Sequence, residues 1–377
     1  MGVPAAEGPP ALDAQLGMLV YSTPARGTGG RVRERYEDFA VAEVLAAGPP
    51  PGDLPTFAVT KVGRNTIEVA EELGAAVGCR IKFWGLKDRR SLSTQFMQCA
   101  APSAARVRRE VRGNGWVARY VGLWGELEPR HFAGNAFSIR VAGLEGTRQD
   151  SMDAVAEALR SGRIANFFGY QRFGATNQNH LVGRCIVKRA LGSPGCPGRE
   201  ELKSMPRRLR RLMVNAYQSY LFNLSLSRLI AEEGGLPPHS AVVHCVATRP
   251  FPRALEEPIP GAACPGRAVP SAPVPGYAYR SRGDPYSRAL DEVMREEGVR
   301  PRDFYVDDMP EVSEEGSWRP AVVLGSARFR EAGRGEVVVK LLLQRGSYAT
   351  VVLRELMKPG DPQSSGLVGR AYQVISA

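Results

Sequence analysis

The fifteen residues Lys82-Phe83-Trp84-Gly85-Leu86-Lys87-Asp88-Arg89-Arg90-Ser91-Leu92-Ser93-Thr94-Gln95-Phe96 join two apolar, strand-like runs through a tight, glycine-led turn. The turn carries one carboxylate, Asp88, crowded by Lys87, Arg89 and Arg90. A carboxylate on a rigid loop between strands can act as a nucleophile or base, and the cations beside it suit a polyanionic partner. Taken alone, a Lys-Asp turn reads first as an exposed charged turn, and the rest of the chain is needed to overturn that.

Upstream, Asn65-Thr66-Ile67-Glu68 reads as a helix start with Asn65 as cap. Ile67, Ala70, Leu73 and Val77 mark its apolar face and Gly78 its stop. Strands are predicted at 81–84 and 95–99. Ser103 to Arg112 reads as a short helix with Val107 and Val111 inward, 135–142 as a strand, and Met152, Val155, Ala156 and Leu159 as a helical stripe. Mixed strands and helices predict an α+β fold with a largely antiparallel sheet flanked by helices. Residues 1–30, rich in Gly, Pro and Ala, predict a flexible lead-in before a strand that starts at Arg31.

The composition shifts near 190. Gly192 to Gly198 is linker-like, and the following long helix should bury Leu209, Leu212, Ala216, Tyr220 and Leu224. Prolines recur through 234–285 and predict extended loops. A shorter helix at 289–297 and a strand at 337–343 follow. One domain interrupted by another fits this pattern, with parts at 31–190 and 320–377 around an insertion at 191–319.

At 377 residues, 43% hydrophobic, the chain can bury a large core. It has no apolar run approaching the ~18 residues of a membrane span. Met1 to Pro10 lacks the features of a signal peptide, so a cytoplasmic protein without a membrane partner is expected. Fifty Lys+Arg against 39 Asp+Glu give a net charge of +11, compatible with nucleic acid or an anionic surface. The cysteines at 79, 99, 185, 196, 245 and 264 form no Cys-x-x-Cys pair. The four histidines form no His-x-x-x-His pair, so no metal is expected. With no lysine directly after a glycine there is no P-loop, so no nucleotide cofactor is expected either.

Four further segments complement Asp88. They are Arg33-Glu34-Arg35-Tyr36-Glu37-Asp38-Phe39-Ala40-Val41-Ala42-Glu43, Gly134-Asn135-Ala136-Phe137, Asn166-Phe167-Phe168-Gly169-Tyr170-Gln171-Arg172-Phe173-Gly174, and Gln344-Arg345-Gly346-Ser347-Tyr348-Ala349-Thr350 continuing to Arg354-Glu355-Leu356. By residue type alone Phe39 and Phe137 read as core aromatics rather than ligand platforms. The third segment interleaves aromatics and glycines with Asn, Gln and Arg. Glycines allow close backbone approach and aromatics stack bases. Ser347 reads as a helix cap.

Together these segments resemble the TruD family of pseudouridine synthases, whose pattern runs E-D-F-x-V-x-E, K-x-x-x-N-T, G-x-K-D, G-N-x-F, N-Y-F-G-x-Q-R-F-G and G-S-[FY]-A-T with R-E-L. All six occur here in order, at Glu37–Glu43, Lys61–Thr66, Gly85–Asp88, Gly134–Phe137, Asn166–Gly174 and Gly346–Leu356. The resemblance implies a pseudouridine-synthase fold with an inserted TRUD domain, and isomerisation of uridine in tRNA at position 13 of the D arm. It makes Asp88 the catalytic aspartate and Arg33 its basic partner, usually a lysine. Lys87, Phe39, Asn166, Phe168 and Tyr348 become substrate contacts, with Phe168 on the target base and Asn166 bonded to the nucleotide. It implies no cofactor, no metal, a tRNA partner and a monomer. Tyr36, Ser91, Ser93, Phe167 and Tyr348 depart from the usual pattern, which bears on rate and substrate detail. Another target uridine, or RNA binding without turnover, are the competing readings.

Overall fold

The computed structural model describes residues 8–46, 48–101, 108–144, 148–246 and 267–368. The first half runs α1 (Ala11–Gln15), β1 (Gly29–Arg31), β2 (Phe39–Leu45), β3 (Leu54–Val62), α2 (Thr66–Val77), β4 (Ile81–Phe83), β5 (Leu92–Cys99), β6 (Glu110–Gly113), β7 (Trp116–Trp124), β8 (Phe132–Leu144), α3 (Gln149–Ser161), β9 (Ile164–Ala165) and α4 (Asn179–Val187). The second adds α5 (Arg199–Ser204), α6 (Arg207–Glu233), β10 (Val243–Val246), β11 (Arg267–Val274), α7 (Pro285–Glu296), β12 (Ser317–Pro320), β13 (Val322–Val323), β14 (Gly325–Gly333), β15 (Glu336–Gln344) and α8 (Ala349–Met357).

A ten-stranded sheet has the order β14-β15-β8-β2-β5-β3-β7-β6, with β1 paired to β8 and β4 to β5. Within it β2 and β5 run parallel, Ala40 opposite Leu92 and Ala42 opposite Thr94. The other described pairings in this sheet are antiparallel. This is the α+β architecture the sequence predicts. Because β2 and β5 are parallel, residues 84–91, between β4 and β5, emerge beside the start of β2. That register brings Asp88 to the Arg33–Phe39 stretch.

Alternating apolar residues of β8 and β15, Ile139, Val141, Val339 and Leu341, pack on Val155 and Leu159 of α3 and Val352 and Leu356 of α8. A second core lies under β3 and β5, where Phe57, Val59 and Met97 meet Val69, Leu73 and Val77 of α2. The third joins α4, α6 and α7 through Ile186, Val214, Tyr217, Leu221, Leu290 and Val293. Helix α6 serves two of them: Ala216, Phe222, Leu226 and Leu229 face the sheet side, while Met213, Val214, Tyr217 and Leu221 face the α4–α7 side. Helix α6 thus joins the core beneath the main sheet to the α4–α7 core.

Four local expectations need correction. First, of the expected flexible lead-in at 1–30, residues 1–7 lie outside the described residues, and within 8–30 Asp13, Leu16 and Met18 are fully buried. They are tied down by the Arg354-Glu355 pair of α8. Arg354 forms an ion pair with Asp13 and donates to the carbonyls of Met18 and Val20 at 3.1 and 3.0 Å. Glu355 accepts from Ser22 N and Thr23 N. These partners are remote in sequence, so local composition cannot reveal them. Second, of the expected helix at 103–112, residues 103–107 lie outside the described residues, and Glu110–Gly113 is strand β6. Val111 points in and Arg112 out, and an Asn114-Gly115 turn with Gly115 at φ +72° folds β6 onto β7. Third, Leu209 and Leu212 are exposed and the buried stripe of α6 is shifted around the helix, because two cores compete for it; Ile67 of α2 is likewise exposed. Fourth, Ser347 does not cap α8, whose cap residue is Tyr348, without a capping hydrogen bond.

Among the described residues two disulfides, Cys79–Cys99 and Cys185–Cys196, join cysteines 20 and 11 positions apart, well beyond Cys-x-x-Cys spacing. The first closes the segment that holds Asp88. No helix among the described residues is long and apolar enough to cross a membrane.

Candidate active site

The loop from Trp84 to Ser91 is braced from every side. Asn65 caps α2 by accepting from Ile67 N at 2.9 Å, as its sequence suggests. The next residue, Thr66, accepts from Lys87 N at 3.2 Å. Lys61, 1% exposed, donates to the carbonyls of Arg64, Lys87 and Asp88 at 2.8, 3.4 and 3.1 Å. Burial lowers the Lys61 pKa to about 8 against the opposing pull of Asp88. Ser91 Oγ donates to the Asp88 carbonyl at 2.7 Å, and Gly85, at φ +81°, turns the chain. The backbone of Asp88 is fixed independently of its carboxylate.

That carboxylate, 29% exposed, receives three contacts. Arg90 N donates to Oδ1 at 3.0 Å, Gln171 Nε2 donates to Oδ2 at 3.2 Å, and Arg33 Nη2 stands 2.9 Å from Oδ2. Arg33 is buried, with its guanidinium 4.2 Å from the centre of the Phe39 ring. Its φ of +62° is a left-handed backbone that a non-glycine residue adopts only when its surroundings hold it there. Burial draws the Arg33 pKa below its ordinary value, Asp88 opposes this and Arg90 adds to it. Its Nε and Nη1 find no hydrogen-bond partner among the described residues.

Asp88 opens onto a cavity of about 370 Å³ lined by Phe39, Val41, Leu86, Lys87, Asn135, Phe137, Gln171 and residues 347–350. Phe39 and Phe137 meet edge to face, centroids 6.1 Å apart. Lys87 is held by Glu43 at 2.7 Å and donates to Asn135 Oδ1 at 3.3 Å. Burial raises the Glu43 pKa, while Lys87 and Phe96 N pull it down. Lys87 and Asn135 also line a second hollow of about 330 Å³ with Phe83, Trp84, Phe132 and Arg345.

Of the residues singled out in sequence, Asp88, Lys87, Phe39 and Tyr348 line the cavity and Arg33 backs it. Asn166 and Phe168 do not line it. Asn166 is 1% exposed, donates to Pro320 O at 2.9 Å and accepts from Arg319 Nη2 at 2.8 Å. Arg319 in turn lies 4.1 Å from the centre of the Phe168 ring, and Phe168 packs edge-on against Tyr348 at 6.5 Å. Arg319 and the Phe168 ring thus link the two residues to Tyr348, and neither is among the cavity's lining residues. Asn135, Phe137, Gln171, Ser347 and Thr350 were given no site role by sequence reading. Each stands inside one of the six motifs; the pairing of β2 with β8, Glu43 opposite Asn135 and Val41 opposite Phe137, sets Asn135 and Phe137 beside the cavity, while Gln171, Ser347 and Thr350 reach it from outside that pairing.

A family model described as tRNA pseudouridine synthase D (TruD) matches residues 15–193 and 198–356. A Pyrobaculum arsenaticum protein named tRNA pseudouridine synthase D is 29% identical over 435 aligned positions, covering 96% of this chain and 99% of the relative. A Methanosarcina mazei protein of the same name is 27% identical, covering 94% and 99%. A Methanosarcina mazei crystal structure titled as a tRNA pseudouridine synthase D superposes with a TM-score of 0.69 at 25% identity, covering 93% of this chain and 98% of the other. The ordered motifs, the sheet that gathers them around one carboxylate, and a family match over nearly the whole chain converge: the chain belongs to the tRNA pseudouridine synthase D (TruD) family.

Proposed function

We propose that this protein isomerises uridine in tRNA to pseudouridine, at position 13, with Asp88 as the catalytic residue. The observation that carries the reading is a carboxylate with a fixed backbone, paired with a buried arginine and opening onto an aromatic cavity. In the reaction the N1–C1′ bond breaks, the base turns, C5 bonds to C1′, the C5 proton leaves and N1 gains a proton. Asp88 either attacks the substrate covalently or takes a proton from the ribose. No atom or electron is gained overall, so the chemistry asks for neither a redox cofactor nor nucleotide energy, and the reading includes no metal. The reading takes the protein to act as a monomer.

A stacked uridine cannot reach Asp88, so the nucleotide is extruded at a cost of a few kcal/mol. Stacking on Phe39 or Tyr348 offsets part of that, at roughly 1–3 kcal/mol per base. Lys87 and Arg33 hold the cavity's electrostatics, while Asn166 and Phe168 keep Tyr348 in place through Arg319. The parts 31–190 and 320–377 act as the catalytic domain and 191–319 as an RNA-clamping wall. A cytoplasmic location goes with tRNA as substrate.

The test is tritium release from C5-labelled uridine in a tRNA transcript, followed by mapping of the product. Wild type should release tritium and Asp88→Asn none. Release that survives the substitution moves the chemistry to another residue, and RNA binding without release by the wild type rejects the enzyme.

A further inference from the structure

The second hollow, of about 330 Å³, adjoins the reaction cavity, and Lys87 and Asn135 line both. The Lys87 ammonium is held between the buried Glu43, at 2.7 Å, and Asn135 Oδ1, at 3.3 Å. Glu43 is itself fixed by accepting from Phe96 N at 2.8 Å. The two spaces thus share a pinned, polar partition. Asn135 Oδ1 is occupied by Lys87, which leaves the amide's Nδ2 as its donor to a ligand. Much of the remaining lining is aromatic, and the Trp84 ring tilts against Phe132 with centroids 6.0 Å apart. Trp84 follows the three-residue strand β4 and is only half-buried. Over Gly85 the space is open, since an added Cβ would meet no atom within 4 Å. The next residue, Leu86, is 54% exposed, the highest value among the described large hydrophobic side chains that are exposed, and it lines the reaction cavity. Successive residues of one braced loop therefore border two spaces, Trp84 and Gly85 the second, Leu86 and Asp88 the first.

Aromatic walls suit the flat face of any base, a few placed polar groups suit its edge, and the cations Lys87 and Arg345 outnumber Glu43 in the lining, as a phosphate-linked ligand requires. Bases on consecutive nucleotides need adjoining sites, and here one side-chain pair separates the two spaces. We propose that the second hollow receives the base of a nucleotide next to the target uridine, stacked on Trp84 with Asn135 and Arg345 at its edge, while the uridine occupies the cavity at Asp88. Leu86, between them in the chain, is then covered by the RNA that bridges the two. This rests on the RNA reading above and adds to it a flanking-base subsite, with Trp84 as a specificity-determining residue.

The test combines full-length protein with tRNA transcripts that carry an abasic residue immediately 5′ or 3′ to the target uridine, read by fluorescence anisotropy. One of the two should weaken binding to wild type roughly tenfold, within the range for losing one base stacked on an aromatic ring. The same abasic residue should have little further effect on Trp84→Leu, whose affinity for intact tRNA is already reduced. Trp84→Phe, which keeps an aromatic plane, should retain most of the sensitivity. Each comparison is made within one protein, so a general loss of affinity from a weakened fold cancels. No loss for wild type at either position overturns the proposal whether or not the variants fold. Equal losses in wild type and Trp84→Leu also overturn it, because the missing base then acts through the shape of the RNA. Pseudouridine formation is measured separately on intact tRNA. The full binding pattern with no pseudouridine formed strikes the enzymatic reading alone, and pseudouridine formed without the pattern strikes the flanking-base subsite alone.

Discussion

Two arginine–aspartate pairs in this molecule differ in almost every respect except chemistry. Arg354 and Asp13 are both 0% exposed, and their remaining polar atoms are met by Tyr170 OH at 2.7 Å, the carbonyls of Met18 and Val20, and Glu355. Burial opposes the charged form of Arg354, but Asp13 and Glu355 outweigh it and its pKa is raised. In the pair at the cavity, Arg33 is buried while Asp88 remains 29% exposed, two guanidinium nitrogens lack partners, and the arginine backbone is left-handed. Here burial prevails and the Arg33 pKa is lowered. A saturated ion pair fixes a chain segment; an unsaturated one, held in place by its surroundings, keeps bonding capacity for something that arrives. Unsatisfied buried donors and strained backbone gather where a protein does work on a ligand.

The comparison breaks first at turnover. Asp88→Asn should abolish tritium release, a loss of at least about 10³-fold if the residue carries the chemistry, with a melting temperature close to wild type; Asp13→Asn should retain activity per folded molecule. A reversal of those two outcomes would dissolve the distinction. Next in size, Arg354→Met leaves Asp13 buried without its countercharge and should cost about 3–5 kcal/mol in urea unfolding. Arg33→Met, beside a half-open carboxylate, should cost clearly less while removing activity. Equal destabilisation by the two variants would mean that both pairs are structural.

Cys79–Cys99, with a sequence separation of 20, encloses the Asp88 loop. In the chain-entropy view its loss as Cys79→Ala with Cys99→Ala costs about 3 kcal/mol, read as a lowered urea midpoint against wild type. No change in midpoint would show that the bracing bonds of Lys61, Thr66 and Ser91 suffice. The smallest effect concerns Lys61. Its pKa is about 8 in the fold and about 10.4 in an unfolded chain. Between those values the unfolded state binds more protons, so stability contributed at this site rises with pH across the window. Turnover should move the other way above pH 8, as the ammonium that clamps the Lys87 and Asp88 carbonyls loses a proton. Urea titrations of wild type and Lys61→Met from pH 7 to 10.5 read the first trend, and the pH profile of tritium release reads the second; a stability difference that shrinks as pH rises contradicts the assignment.

Much of this was legible in the chain. Alternating and helical apolar spacing located β5, β8, α2, α3 and α7, and Asn65 and Gly78 marked the ends of α2 as residues with those preferences do. Motif order identified Asp88, Arg33, Phe39, Lys87 and Tyr348, because nearby residue types in fixed spacing carry their own signal. Val111 was misassigned because a four-residue strand and a helical turn give the same short apolar pattern, which only pairing with β7 resolves.

Sequence by itself determined the α+β class, the family and the loop on which the acidic group sits, since these follow from local periodicity and from residues spaced a few positions apart. Tertiary structure alone decided that Leu16 and Met18 belong to the core, that Asn166 and Phe168 adjoin Tyr348 through Arg319, and that Gln171, Ser347 and Thr350 line the cavity. Those outcomes depend on partners up to 341 positions apart, as in Arg354 and Asp13. Burial and hydrogen-bond saturation at such distances are properties of the packed molecule, with no trace in local spacing.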